Sequence, residues 1–256
     1  MKVVTLTNQK GGVGKSTIAI HLAHLLVKNN KRVVFVDLDG QCDSSTNLAQ
    51  FASEEQTAVC LFDNDFNHQS VDANLLLIPA TAQITRVDTA SSGKAVSNFV
   101  HNIKTSFNEF DFCVIDTAPS ISIRLVAALT ASDFALSPIE LSDFSLAGLK
   151  KTMQAIFGVK AKYNKSLVFL GMLPNRVNTR ANSHKKALRD ILKAYPDYTI
   201  KAFISNRTPI SDALDKKIPV WELKSGNAKT ASKEIIKVLT NIQTQMEKKP
   251  NGYRPN

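Results

Sequence analysis

The stretch Lys10-Gly11-Gly12-Val13-Gly14-Lys15-Ser16-Thr17 decides the fold of this chain. Before it, Val3-Val4-Thr5-Leu6 is a short apolar run with the character of a buried strand. After it, Ile18 to Val27 reads as a helix. A strand, a glycine turn and a helix together make a cradle for phosphate. The glycines let the backbone curl so that several N–H groups point inward, and the helix start adds partial positive charge. Gly11, Gly12, Val13, Gly14, Lys15, Ser16 and Thr17 would line such a cradle. Lys15 would lie along the outer phosphates, with the Ser16 hydroxyl on a magnesium ion.

Two departures narrow this reading. The usual pattern has glycine where this chain has Gln9, and it does not ask for Lys10. With that additional lysine, KGGVGKST resembles the deviant Walker A box of the ParA/MinD family of ATPases. The resemblance makes Lys10 a catalytic residue that reaches across a dimer interface to the other subunit's nucleotide, and Lys15 the one acting within its own subunit.

The chain has 256 residues, 43% of them apolar, enough for one sizeable core and a single domain over 1–247, followed by a polar tail over 248–256. No apolar run approaches the length of a membrane span and no signal peptide is evident, so a soluble, cytoplasmic protein is expected. Cys42, Cys60 and Cys113 lack metal-ligand spacing and read as structural or incidental. The charge is divided unevenly. Residues 1–145 hold 10 Lys+Arg against 15 Asp+Glu, whereas 146–256 hold 22 against 7. The basic excess in the second part is either a solvated surface or a sequence-independent grip on DNA phosphates.

Along the chain, Arg32 to Asp37 is an unbroken apolar run ending in acid, and Asp37 and Asp39 fall at a strand's carboxyl end, where open α/β sheets bind ligands. Residues 43–50 start a helix, 62–72 read as a surface loop, and 74–80 as the third strand. A helix is expected over Val96 to Phe107; its His101 is read as a surface or boundary residue. Asp111-Phe112-Cys113-Val114-Ile115-Asp116 is a Walker B strand whose terminal carboxylate, Asp116, orders magnesium. Beyond it come a helix (121–131), a strand (134–138), a helix (144–159) and a strand (167–173). A further helix (181–195) is followed by a short final strand (199–204) and a last helix (229–246). Arg124 is read either as a surface residue or as one touching phosphate or a partner subunit. The apolar stripe Ile235, Val238, Leu239, Ile242 and Met246 is expected to pack on the sheet rather than to anchor in a membrane.

This alternation implies an α/β fold, doubly wound, with a mostly parallel sheet and helices on both faces. Asp37-Leu38-Asp39-Gly40-Gln41 resembles the family's D-x-D-P-Q box, with Gly40 in the proline position, and Thr117-Ala118-Pro119-Ser120 its D-x-x-P segment. The resemblance then implies Asp39 as the catalytic, water-orienting residue, and Gly40 a looser loop. Ser16, Asp37 and Asp116 fall at the metal, and Asn175 and Pro209 beside the base. It also implies ATP and Mg2+ as cofactors, a homodimer on ATP binding, and non-specific double-stranded DNA held by Lys185, Lys186, Arg189, Lys224, Lys229 and Lys233. A ParB-type centromere-binding partner would stimulate slow turnover, and the protein would be nucleoid-associated. The alternative implied by the same family is a MinD-like, membrane-cycling ATPase that positions the division site.

Overall fold

The apolar runs become β1 (Lys2–Leu6), β2 (Val33–Leu38), β3 (Leu75–Ile78), β4 (Phe112–Thr117), β5 (Phe134–Glu140) and β6 (Val168–Asn175). The computed structural model describes residues 1–53, 56–68, 70–89, 92–142 and 146–248. All six strands form one sheet, ordered β3-β2-β4-β1-β5-β6, in which every pairing is parallel. Successive residues feed opposite cores, as the pleat requires. Val4, Leu6, Val33, Phe35 and Val114 join one buried cluster; Val3, Val34, Val36, Cys113 and Ile115 join the other. Strands covered on both sides are apolar through most of their length, which explains the near-continuous runs.

Between the strands lie α1 (Lys15–Lys28), α2 (Asp43–Asn47), α3 (Ser92–Thr105), α4 (Ile123–Ala131), α5 (Leu146–Lys162), α6 (Asn182–Ala194), α7 (Thr208–Asp215) and α8 (Gly226–Lys248). Helices α1, α7 and α8 share the first cluster, and α3 and α4 the second. The doubly wound architecture is therefore as expected. It places the carboxyl ends of β1, β2 and β4 side by side, with Leu6 opposite Asp116 and Asp116 opposite Asp37.

Several expectations are corrected. The final strand over 199–204 does not form. The segment meets β6 at an isolated bridge, Met172 with Thr199, and through the Ile204 N–H to the Pro174 carbonyl at 3.0 Å, and a second bridge, Val177 with Ser205, lies just beyond both. Gly171, at φ +122°, lies beside a register shift between β5 and β6, and the bent β6 edge offers no continuous ladder. Phe62, expected on a surface loop, is buried and packs 4.7 Å from the Phe99 ring. The helix expected over 43–50 stops at Asn47, and a 3-10 turn, Ala49–Phe51, follows. A 3-10 helix over Ala82–Thr89 was not legible from periodicity. Phe107 stays buried although α3 ends at Thr105. Phe144, at the expected start of α5, lies outside the described residues, as does the tail from 249.

The apolar stripe of α8 is buried in the cluster that covers this face of the sheet, beside α1, α7 and the turn at Val220–Glu222. Side-chain bonds that hold it include Lys2 Nζ to the Met246 carbonyl at 2.8 Å and Asn29 Nδ2 to Gln243 Oε1 at 2.7 Å. Among the described residues, no helix is long and apolar enough to cross a membrane.

Candidate nucleotide site and cationic surface

The loop after β1 turns through Gly12 (φ +76°) and Gly14 (φ +89°), a region that side chains rarely enter. Gly14 is required twice over, because a Cβ there would come 2.2 Å from Asn175 Nδ2. It is also the N-cap of α1, with no side-chain cap and no acid in the first turn, so the positive helix end is left for an anion. A Cβ at Gly11 or Gly12 would meet nothing within 4 Å, leaving room above the loop for phosphate. The cradle is held from outside. Asn175 Nδ2 donates to the Val13 carbonyl at 2.9 Å, Arg176 Nη1 to the Gly12 carbonyl at 2.9 Å, and Asn8 Nδ2 to the Pro138 carbonyl at 2.8 Å.

Lys15 is buried, its Nζ 3.5 Å from the Lys10 carbonyl, whereas the Lys10 side chain is exposed at the loop entrance. Burial lowers the pKa of Lys15, opposed by the charges of Asp116 and Asp39. Across from it, Asp116 and Asp37 are fully buried, and burial pushes both carboxyls upward. For Asp116 the neighbouring Asp37 adds to the rise, while hydrogen bonding from Ser16 and Ser44 and the charge of Lys15 oppose it. Ser44 Oγ donates to Asp116 Oδ2 at 2.8 Å, and Asp116 Oδ1 is buried with no bond of ordinary length. A buried carboxylate oxygen with an open lone pair, beside a second acid and the Ser16 hydroxyl, suits a hard divalent cation. Asp37 is otherwise engaged: Oδ1 accepts the Asp39 N–H at 2.9 Å, and Oδ2 accepts Ser45 N–H and Oγ–H at 2.9 and 2.7 Å. It shapes the loop that carries half-buried Asp39.

On the other flank of α1 a cavity of about 200 Å³ is bounded by Thr17, Glu140, Asn175, Arg176, Asn206 and Ile210. Both Asn175 and the 206–210 segment thus border one cavity. Pro209 occupies the first turn of α7 rather than an extended loop, and its neighbours Arg207 and Ile210 line the cavity. Glu234 ties this wall down, accepting from Ser205 and from Arg207.

The candidate DNA residues fall into two sets. Lys224, Lys229 and Lys233 are exposed and share one cleft with Trp221, Leu223 and Ile236, while Lys185, Lys186 and Arg189 lie exposed along α6. Among the described residues no cluster of His, Cys, Asp and Glu has the make-up of a metal site in its own right, and the cysteines are free.

Sequence reasoning missed the residues that hold the site rather than face it: Asn8, Ser44, Ser45, Arg176, and Arg124 with Asp88. Arg124 is neither on the surface nor at the phosphate cradle. It is buried and paired with Asp88. A lone arginine in Ile123-Arg124-Leu125-Val126-Ala127-Ala128-Leu129 was the available signal, since a charge on an apolar helix needs a buried partner.

The AAA domain family matches residues 1–169. Among curated proteins, the chain is 37% identical to Protein IncC of Escherichia coli, covering 96% of this chain and 70% of that one. It is 30% identical to the sporulation initiation inhibitor protein Soj of Bacillus subtilis, covering 83% and 87%. Among solved structures, a plasmid partition protein from Borrelia burgdorferi is 27% identical with a TM-score of 0.68, covering 94% of this chain and 98% of that one.

Proposed function

Since the chain belongs to the AAA domain family and, within it, to the ParA-type ATPases, we propose that it partitions DNA by binding ATP, pairing with a second copy, holding DNA non-specifically and letting go on hydrolysis. The observation that carries this reading is the convergence of Lys15, Asp39 and Asp116 at one sheet edge, with Lys10 exposed at the mouth of the same loop. ATP phosphates would lie over Gly11–Thr17, steadied by Lys15 and by the start of α1. Ser16 and Asp116 would hold the magnesium ion, with Asp37 shaping the loop that carries Asp39; the ion would neutralise phosphate charge. Asp39 would orient the attacking water. Lys10 would reach the partner's phosphates, because two polyanions brought face to face repel unless cations intervene. Pairing would double the cationic face of Lys224, Lys229 and Lys233, where one copy alone makes few phosphate contacts. A ParB-type partner would speed an otherwise slow turnover.

Light scattering on the full chain tests the pairing step. With ATP the 28.1 kDa monomer should double in mass, and with ADP it should not. Lys10→Ala should stay monomeric while still binding ATP. Doubling that survives this change would remove Lys10 from the interface.

A further inference from the structure

Arg124 lies in the first turn of α4 and is 5% exposed. A guanidinium that deep is tolerated only when its donors are met. Its Nε and Nη2 donate to Asp88 Oδ2 at 3.0 and 2.8 Å, and its backbone N–H approaches Asp88 Oδ1 at 3.4 Å. The remaining arm, Nη1, donates to the Leu38 carbonyl at 2.6 Å. Leu38 ends β2, and Asp39 is the next residue. A charge-assisted bond in a dry setting therefore fixes the peptide from which Asp39 hangs.

Asp88 belongs to the 3-10 helix Ala82–Thr89, and the same helix runs beside Gly40. A Cβ at Gly40 would come 3.3 Å from Thr85 Cγ2 and 3.6 Å from Ile84 Cγ2, so a proline ring would force Thr85 to shift. The Asp39 N–H itself is tied to Asp37 at 2.9 Å. Leu38 and Asp39 are thus held by different partners with Gly40 walled by Thr85 and Ile84, and the looseness expected of Gly40 is countered from outside the loop.

We propose that Arg124, oriented by Asp88, is a positioning residue for ATP hydrolysis. It holds the Leu38 carbonyl and so sets where the Asp39 carboxylate lies, supplying the stiffness that proline gives the D-x-D-P-Q box. The proposal rests on the reading of Asp39 as the water-orienting residue. A merely structural ion pair would change stability alone; a positioning pair changes turnover, and only while Asp39 is present.

Arg124→Met keeps an apolar stem and removes the guanidinium donors. Single-turnover hydrolysis of labelled ATP, followed for hours so that residual rates are measured, is compared for the wild type, R124M, D39A and the double variant. R124M should lose about tenfold in rate at saturating ATP, with the half-saturating concentration within about twofold of wild type. In the D39A background the same change should cost nothing more. A wild-type rate in R124M, or an equal loss in both backgrounds, overturns the proposal. Wild-type turnover in D39A instead overturns the assignment of Asp39, whatever R124M does. Should R124M not fold, Asp88→Asn carries the test, with a loss of about threefold that again vanishes without Asp39.

Discussion

Charges in the two parts of this chain are used in opposite ways. At the carboxyl edge of the sheet they are few, buried and each tied to named partners: Asp37 to Asp39 and Ser45, Asp116 to Ser44, Arg124 to Asp88 and Leu38. In the second part they are many and exposed, with Lys224, Lys229 and Lys233 rimming one open cleft. A buried charge has one arrangement in which it is solvated by the protein, so it specifies geometry and is little screened by salt. An exposed lysine specifies no geometry; it contributes to a field that acts by number and fades with ionic strength. Removal of one buried partner should therefore be felt abruptly and at any salt, whereas lysines should be lost gradually.

The largest effect is expected at Lys15. Lys15→Ala leaves Asp116 facing Asp37 without a compensating ammonium and would remove the proposed phosphate contact, so ATP affinity measured by calorimetry should fall about a thousandfold. Unchanged affinity would break the buried side of the comparison. Next is Asp39→Ala, in which ATP binding should persist while turnover falls about a hundredfold; normal phosphate release would move the water-orienting role elsewhere.

His21 tests whether the two regions are mechanically joined. Its Nδ1 donates to the Thr17 carbonyl at 2.7 Å and its Nε2 accepts the Val220 N–H at 3.2 Å, so the imidazole is neutral and bridges α1 to the turn before the lysine cleft. Burial lowers its pKa to about 4. A base whose folded pKa is depressed stabilises the fold fully above its unfolded value of about 6.5 and loses that contribution as pH falls towards 4, a swing of about 3 kcal/mol. His21→Phe should cost about 2 kcal/mol at neutral pH by orphaning the Val220 N–H, and should flatten the acid side of the stability curve in urea melts. An unaltered slope between pH 6.5 and 4 would assign that titration to other groups. The smallest and most salt-dependent effect is expected from replacing Lys224, Lys229 and Lys233 together by Glu. Retention of duplex DNA should drop about tenfold or more at moderate salt, with ATP affinity intact; with six lysines lost per pair, the slope of log affinity against log salt should shrink by about 5. Intact retention would place the DNA surface elsewhere, with α6 the next candidate.

The sheet and the phosphate cradle were legible because their signals are local. KGGVGKST demands a turn that Gly12 and Gly14 alone can make, and acids ending apolar runs mark the edge where Asp37, Asp39 and Asp116 meet. What escaped was set by contacts distant in sequence. Asn175 grips Val13 across 162 positions and Arg124 reaches Leu38 across 86. The segment 199–204 has the composition of a strand, yet the bend of β6 at Gly171 denies it a ladder. The α8 stripe was legible as buried, but its periodicity could not say that α1, α7 and the Val220–Glu222 turn flank it.

Binding of arbitrary duplex DNA by the full chain, measured with ATP, with ADP and without nucleotide across a salt series, tests the central claim most directly. The account predicts retention with ATP alone, collapsing steeply as salt rises. Retention indifferent to nucleotide, or none with ATP at low ionic strength, would contradict it.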